Sequence, residues 1–186
     1  MQLKQAFTNY TTLCDDALIE RSRNDDADAS DELYSRYLTR VYRFIFRRVG
    51  GDVALAEDLT SQAFLEALDN LPKYRERGRF AAWLFTIARR RLVDCYRKAK
   101  TDFLDEIPES LLGISDNLED RENMARLKQL LTMLDEEKRE LLQLRFSAEL
   151  SFADIAAVVG KSEAAIKMSL YRVLDGLRKQ WEAGNE

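Results

Sequence analysis

The sequence predicts an all-α protein of two small helical domains joined by an acidic linker, the second carrying a helix-turn-helix. Three observations predict this. Apolar residues recur at three- and four-residue spacing through most of the chain, the period of helices with one buried face. Glycine and proline are few, seven and two of 186 residues, and no alternating apolar run marks a strand. Composition turns over at 101–123, where eight acidic residues stand against one basic and Pro108 and Gly113 break any periodicity. The expected divisions are an extension at 1–29, a first domain at 30–100, a linker at 101–119, a second domain at 120–182 and a tail at 183–186. Each unit alone is near the lower size limit for a robust core.

The extension is polar and acidic, with one short helix expected around Asp16–Arg23. Ser30 is the expected N-cap of the next helix, with Asp31 and Glu32 in its first turn. In "DELYSRYLTRVYRFIFRRV" the residues Leu33, Tyr37, Val41, Phe44, Ile45 and Val49 share one face, and the glycines at 50–51 end the helix. Asp52 caps "VALAEDLTSQAFLEALDNL", whose stripe is Leu55, Leu59, Ala63, Phe64 and Leu68, and Pro72 closes it. After the loop "KYRERG" a long helix starts at Phe80, with Trp83, Leu84, Ile87, Ala88, Leu92 and Cys95 on its apolar side. In the second unit a helix is expected from Asn117 to Met133, and Asp135 caps the next. Ser151 with Asp154 begins a short helix in a near capping box, with Ile155, Val158 and Val159 as its apolar face. Gly160 stands where a left-handed residue ends it. Ser162 caps the last helix, with Ile166, Leu170, Val173, Leu174 and Leu177 inward.

Composition excludes several kinds of chemistry. There is no histidine, and Cys14 and Cys95 lie far apart, which removes the common zinc-finger spacings and any Ser–His or Cys–His nucleophile pair. No cofactor, metal site or enzymatic activity is expected. The two cysteines read as ordinary buried thiols. The N-terminus lacks the apolar core of a secretory signal, and no apolar run is long enough for a membrane span. A cytoplasmic protein without membrane insertion is the expectation.

The chain carries 33 acidic and 29 basic residues, yet residues 73–100 hold ten basic and two acidic ones, a net +8. Arg89, Arg90 and Arg97 face away from the apolar side of their helix, offset by neither neighbouring helix. Arg91 and Lys98 fall above the seam and must snorkel or meet a carboxylate, with Asp94 the i,i+4 partner for Lys98. Dense positive charge beside Tyr74, Phe80 and Trp83 suits a phosphate-binding face where ring faces receive unstacked bases. Phe80 and Trp83, on the apolar side, read first as core. The acidic 101–123 stretch either keeps a linker solvated or shields the basic strip when nucleic acid is absent.

The short helix, glycine turn, serine cap and longer helix form a helix-turn-helix pattern, which an αα-hairpin of a bundle would also produce. On its second helix Ala164, Ala165, Met168, Tyr171 and Arg172 face outward, with Lys167 on the flank. Small alanines permit close approach to a groove, and Lys167 and Arg172 reach phosphates or guanine edges.

Taken in order, these segments resemble the extracytoplasmic-function (ECF) group of bacterial sigma factors, over about residues 30–100 and 120–182. "AEDLTSQAFLEAL" is similar to the family's helix that grips the β′ coiled coil of RNA polymerase. "FAAWLFTIARRRLVDCYR" resembles its −10 recognition and melting segment. "LDEEKRELLQLRF" and "LSFADIAAVVGKSEAAIKMSLYRVLDGLR" resemble its −35 reading domain. The resemblance implies transcription initiation with core RNA polymerase (β′ coiled coil and β flap) and promoter DNA as partners, and control by an anti-sigma factor. Residue by residue, it implies polymerase contacts at Glu57, Asp58, Ser61, Gln62 and Leu65. It implies −10 and melting contacts at Lys73, Tyr74, Arg75, Arg77, Arg79, Arg89, Arg90 and Arg97. It implies −35 contacts at Ser162, Ala164, Ala165, Lys167, Met168, Tyr171 and Arg172. Two departures stand out. Ser61 and Gln62 replace a glutamine and an acid of the gripping helix, and Ser169 replaces an arginine of the reading helix. A stand-alone helix-turn-helix regulator is the alternative, which would bind duplex DNA without polymerase.

Overall fold

The computed structural model describes residues 9–75, 78–99 and 118–183, and these form eight α-helices with no strand among the described residues. They are α1 (Asp15–Ser22), α2 (Ala27–Arg48), α3 (Val53–Asn70), α4 (Phe80–Ala99), α5 (Leu118–Thr132), α6 (Glu136–Leu142), α7 (Phe152–Val159) and α8 (Glu163–Ala183). A 3₁₀ turn, Leu71–Lys73, leads out of α3, and a π-helical turn, Gln143–Ser147, leads out of α6. The acidic stretch at 101–117 lies outside the described residues.

Helix starts follow from local chemistry. The Asp52 carboxylate accepts from the Leu55 N–H at 3.0 Å and the Asp135 carboxylate from the Lys138 N–H at 2.9 Å, each satisfying a first-turn donor. The side-chain hydrogen bond and charge of Lys138 hold the Asp135 carboxyl below its ordinary range. One cap differs from expectation. The second helix begins at Ala27 under Asp26, whose carboxylate accepts from Ala29 N–H at 3.2 Å. Ser30 is already inside it and its hydroxyl meets that of Ser22 at 2.5 Å. Asp26 is equally good cap chemistry, and starting there buries Ala29 in register with Leu33.

The first unit packs α1 to α4 around a shared core. Leu33, Tyr37, Val41, Phe44, Ile45 and Val49 of α2 are buried as a stripe, against Leu59, Ala63 and Phe64 of α3 and Leu84, Ile87, Ala88 and Leu92 of α4. Phe85, which the single-stripe reading passes over, is fully buried and meets Phe44 edge-on at 5.6 Å. It is buried because α4 packs against α2 and α7 as well as α3, so two of its faces are covered. Leu68, by contrast, is 43% exposed. Residues of the N-terminal stretch belong to this core: Leu18 and Ile19 are buried.

The second unit packs α6, α7 and α8 through Leu141, Leu144, Leu150, Ile155, Ile166, Leu170 and Val173. Leu174, expected inward, is 39% exposed. Ser151 and Asp154 complete a reciprocal capping box, and Gly160 ends α7 at φ +71°. The two units touch directly, through α4 on α7 and α2 on the π-helical turn. Arg40 Nε donates to the Ala148 carbonyl at 2.8 Å and its Nη2 to the Glu149 carbonyl at 3.1 Å. Arg48 pairs with Glu136. Cys14 is exposed and Cys95 half-buried, so neither is the fully buried thiol expected.

Candidate nucleic-acid interface

Three surfaces carry the predicted site residues. The first is the outer face of α3. Its inner face is pinned by Leu59, Ala63 and Phe64, which turns Glu57, Asp58, Ser61 and Leu65 to solvent. Leu65 is 62% exposed, a large apolar side chain in the middle of a polar face. Gln62, half-buried, donates from Nε2 to the Asp58 carboxylate at 2.8 Å. The Gln62 amide thus orients the Asp58 carboxylate.

The second surface is the turn after α3 and the outer side of α4. Lys73, Arg75, Arg79, Arg90 and Arg97 are exposed; Arg77 lies outside the described residues. Tyr74 does not present its ring as expected. It is 5% exposed and packs 4.9 Å from Trp83 and 6.0 Å from Phe80, centroid to centroid. The reason is the 3₁₀ turn, which folds residue 74 back under the first turn of α4. Phe80 is buried as core and Trp83 half-buried.

The cations of α4 are also not unopposed. Arg89 donates from Nε and Nη2 to the two carboxylate oxygens of Glu140 at 2.8 and 3.2 Å, a fork reaching into the second unit. Arg90 pairs with Glu66 and Arg91 lies 2.6 Å from the same carboxylate. Arg97 takes Asp94 at 3.1 Å, so Asp94 serves Arg97 and not Lys98. Glu66 could have been read from the sequence: with Leu59 and Ala63 it continues the inner stripe at helical spacing, and a carboxylate at a seam position requires a cation. Glu140 and Glu136 leave no such trace, because their partners are in the other unit.

Glu66, Asn70, Lys73, Tyr74, Trp83 and Arg90 line a polar hollow of about 290 Å³ between the end of α3 and the start of α4. Its walls combine two aromatic rings, cations and amide and carboxylate acceptors. That set suits a planar, hydrogen-bonding group attached to a phosphate backbone.

The third surface is α8. Ser162 Oγ accepts from Ala165 N–H at 3.2 Å and starts the helix. Ile166, Leu170 and Val173 point into the core, which leaves Ala164, Ala165, Lys167, Met168, Tyr171 and Arg172 exposed along one edge. Met168 and Tyr171 are 52% and 57% exposed. Lys167 Nζ lies 5.6 Å from the Phe152 ring centroid, so α7 and α8 offer cation and aromatic side by side. No described helix is long and apolar enough to cross a membrane.

Both units match known proteins. Residues 33–101 match the Sigma-70 region 2 family and residues 124–175 match Sigma-70, region 4. The ECF RNA polymerase sigma factor BldN of Streptomyces coelicolor is 37% identical over 169 residues, covering 87% of this chain and 64% of BldN. The ECF RNA polymerase sigma factor ShbA of Streptomyces griseus is 30% identical over 176 residues, covering 87% of this chain and 92% of ShbA. The fold resembles that of CnrH, solved in complex with the cytosolic domain of CnrY. The TM-score is 0.66 at 23% identity, over 91% of this chain and 97% of that one. The chain belongs to the ECF group of sigma-70 RNA polymerase sigma factors.

Proposed function

We propose that the chain binds core RNA polymerase, recognises −35 and −10 promoter elements and helps to open the DNA, in the cytoplasm. The outer face of α3 docks on the β′ coiled coil, with Leu65 as the apolar anchor and Glu57, Asp58, Ser61 and Gln62 around it; the second unit meets the β flap. Residues 73–79 and α4 hold the displaced strand, with an unstacked base in the hollow beside Trp83. Lys73, Arg75, Arg77, Arg79, Arg90 and Arg97 supply phosphate contacts. Tyr74 contributes as the buried wall behind that hollow. Arg89 joins them only after leaving Glu140. Residues Ser162 to Arg172 of α8 read the −35 element. The acidic linker lets polymerase set the spacing of the two units, residues 30–100 and 120–182, and an anti-sigma factor holds the chain inactive by covering these surfaces.

The observation that carries this reading is one chain that presents two distinct surfaces of cations and aromatic rings, on α4 and α8, beside an exposed polar helix face centred on Leu65. Run-off transcription with core polymerase tests it. The wild-type chain should direct initiation from discrete promoters. Arg172→Ala should lower initiation about 5- to 150-fold, the span of one good base or phosphate contact of about 1–3 kcal/mol, without loss of polymerase binding. No transcript above that of core polymerase alone would contradict it.

A further inference from the structure

Residues 9–26 have no part in the proposed contacts, yet they grip the strand-capture loop at three points. Arg23 leaves the end of α1 and donates from Nε to the Leu71 carbonyl at 3.0 Å, and from Nη2 to the Tyr74 carbonyl. The Asp16 carboxylate accepts from the Gly78 N–H at 3.0 Å. These contacts straddle the loop that carries Lys73, Arg75 and Arg79. The grip has a firm base. Leu18 and Ile19 bury α1 against α2, and Asp15 accepts from Arg36 at 2.7 Å and from the Tyr37 hydroxyl.

A second arginine shares one of these carbonyls, that of Tyr74. Arg75 Nη1 donates to Pro72 O at 2.6 Å and Tyr74 O at 3.0 Å. Arg75 is exposed, and on a DNA strand its guanidinium turns to phosphate. The Tyr74 carbonyl then depends on Arg23. Holding the loop therefore matters more with DNA engaged than without it, and a contact stronger in the engaged state favours that state.

We propose that Arg23 and Asp16 are positioning residues for strand capture: they fix the backbone at Leu71, Tyr74 and Gly78 so that Lys73 and the Tyr74–Trp83 wall of the hollow receive the displaced strand. This rests on the promoter-opening reading above.

The test is run-off initiation by core polymerase with the full-length chain. The promoter is one selected by the wild-type chain from a random-sequence library, supplied as intact duplex and with its −10 segment pre-melted by mismatches. Arg23→Ala should lower initiation about tenfold or more on the duplex, as expected for loss of a charged donor to two carbonyls, and less than about threefold on the pre-melted template. Its co-elution with polymerase should be unchanged. Asp16→Ala, at an exposed position that does not threaten folding, should lower duplex initiation about two- to fivefold. Asp16→Asn keeps an oxygen acceptor and should restore it. Equal loss on both templates, or no loss with Arg23→Ala and Asp16→Ala, overturns the proposal. A library from which the wild-type chain selects no promoter, or a wild-type chain inactive on both templates, overturns the promoter-opening reading and this one with it.

Discussion

Breaking the fork between Arg89 and Glu140 should loosen the two helical units from each other. The side chain of Glu140 is 12% exposed and that of Arg89 39%. Two charge-assisted hydrogen bonds of 2.8 and 3.2 Å would be worth about 1.5–3 kcal/mol if fully sheltered, and an exposed ion pair about 0.2–1 kcal/mol. Discounting for the half-open guanidinium gives a coupling of about 1–2 kcal/mol, a factor of about 5–30 in an equilibrium constant. The assay is a double-mutant cycle of Arg89→Ala and Glu140→Ala, read by urea unfolding of the full-length chain. Both single variants should be destabilised, and the double variant less than their sum. A coupling below about 0.5 kcal/mol, the ordinary error of additivity, would refute the reasoning. On the proposed function, the same pair should restrain DNA engagement. Freed of its carboxylate, Arg89 should bind a DNA strand more readily. Glu140→Gln should therefore raise the affinity of the polymerase complex for a pre-melted promoter, by no more than that factor.

Gly160→Ala should cost about 1–2 kcal/mol, because a side chain at φ +71° is strained although nothing lies within 4 Å of the added Cβ. Thermal melting should show a drop of a few degrees, and an unchanged midpoint would contradict the left-handed turn. Phe85→Ala should destabilise the chain by about 3–5 kcal/mol, since the ring is fully buried between packed helices. Retention of wild-type stability would contradict the packing of α4 against α2 and α7. Alkylation at pH 8 should modify Cys14 well before Cys95. Cys14 is exposed, and burial pushes the Cys95 thiol above its ordinary range and lowers its thiolate fraction. Equal rates would contradict that placement.

Much of this fold is legible in the sequence because its punctuation is local. Asp52, Asp135, the Ser151–Asp154 box and Gly160 each set a helix boundary by a contact within a few residues, and each is found in that role. The stripe of α2 is fully buried because that helix lies at the centre of its unit. Misreadings arise where a distant element decides. Phe85 is buried by a second packing partner that a one-face pattern does not anticipate. Leu174 is exposed because it lies on the flank of the α8 stripe, whose centre is Ile166, Leu170, Val173 and Leu177. Asp26 and Ser30 are equally good caps by composition, and only the burial of Ala29 chooses between them. Among the site residues, outward placement of the α3 and α8 faces follows from helical phase. The pairing of Arg89 with Glu140 and of Arg90 and Arg91 with Glu66, and the burial of Tyr74, depend on three-dimensional neighbours up to 51 positions away.

The most direct test of the account is co-elution of the full-length chain with bacterial core RNA polymerase on a sizing column, beside an Asp58→Arg variant. Asp58 is exposed on α3 and held by Gln62, so charge reversal there leaves the core untouched. The account predicts co-elution of the wild-type chain and its loss in the variant. A folded wild-type chain that elutes apart from polymerase, and binds duplex promoter DNA without it, would contradict the account.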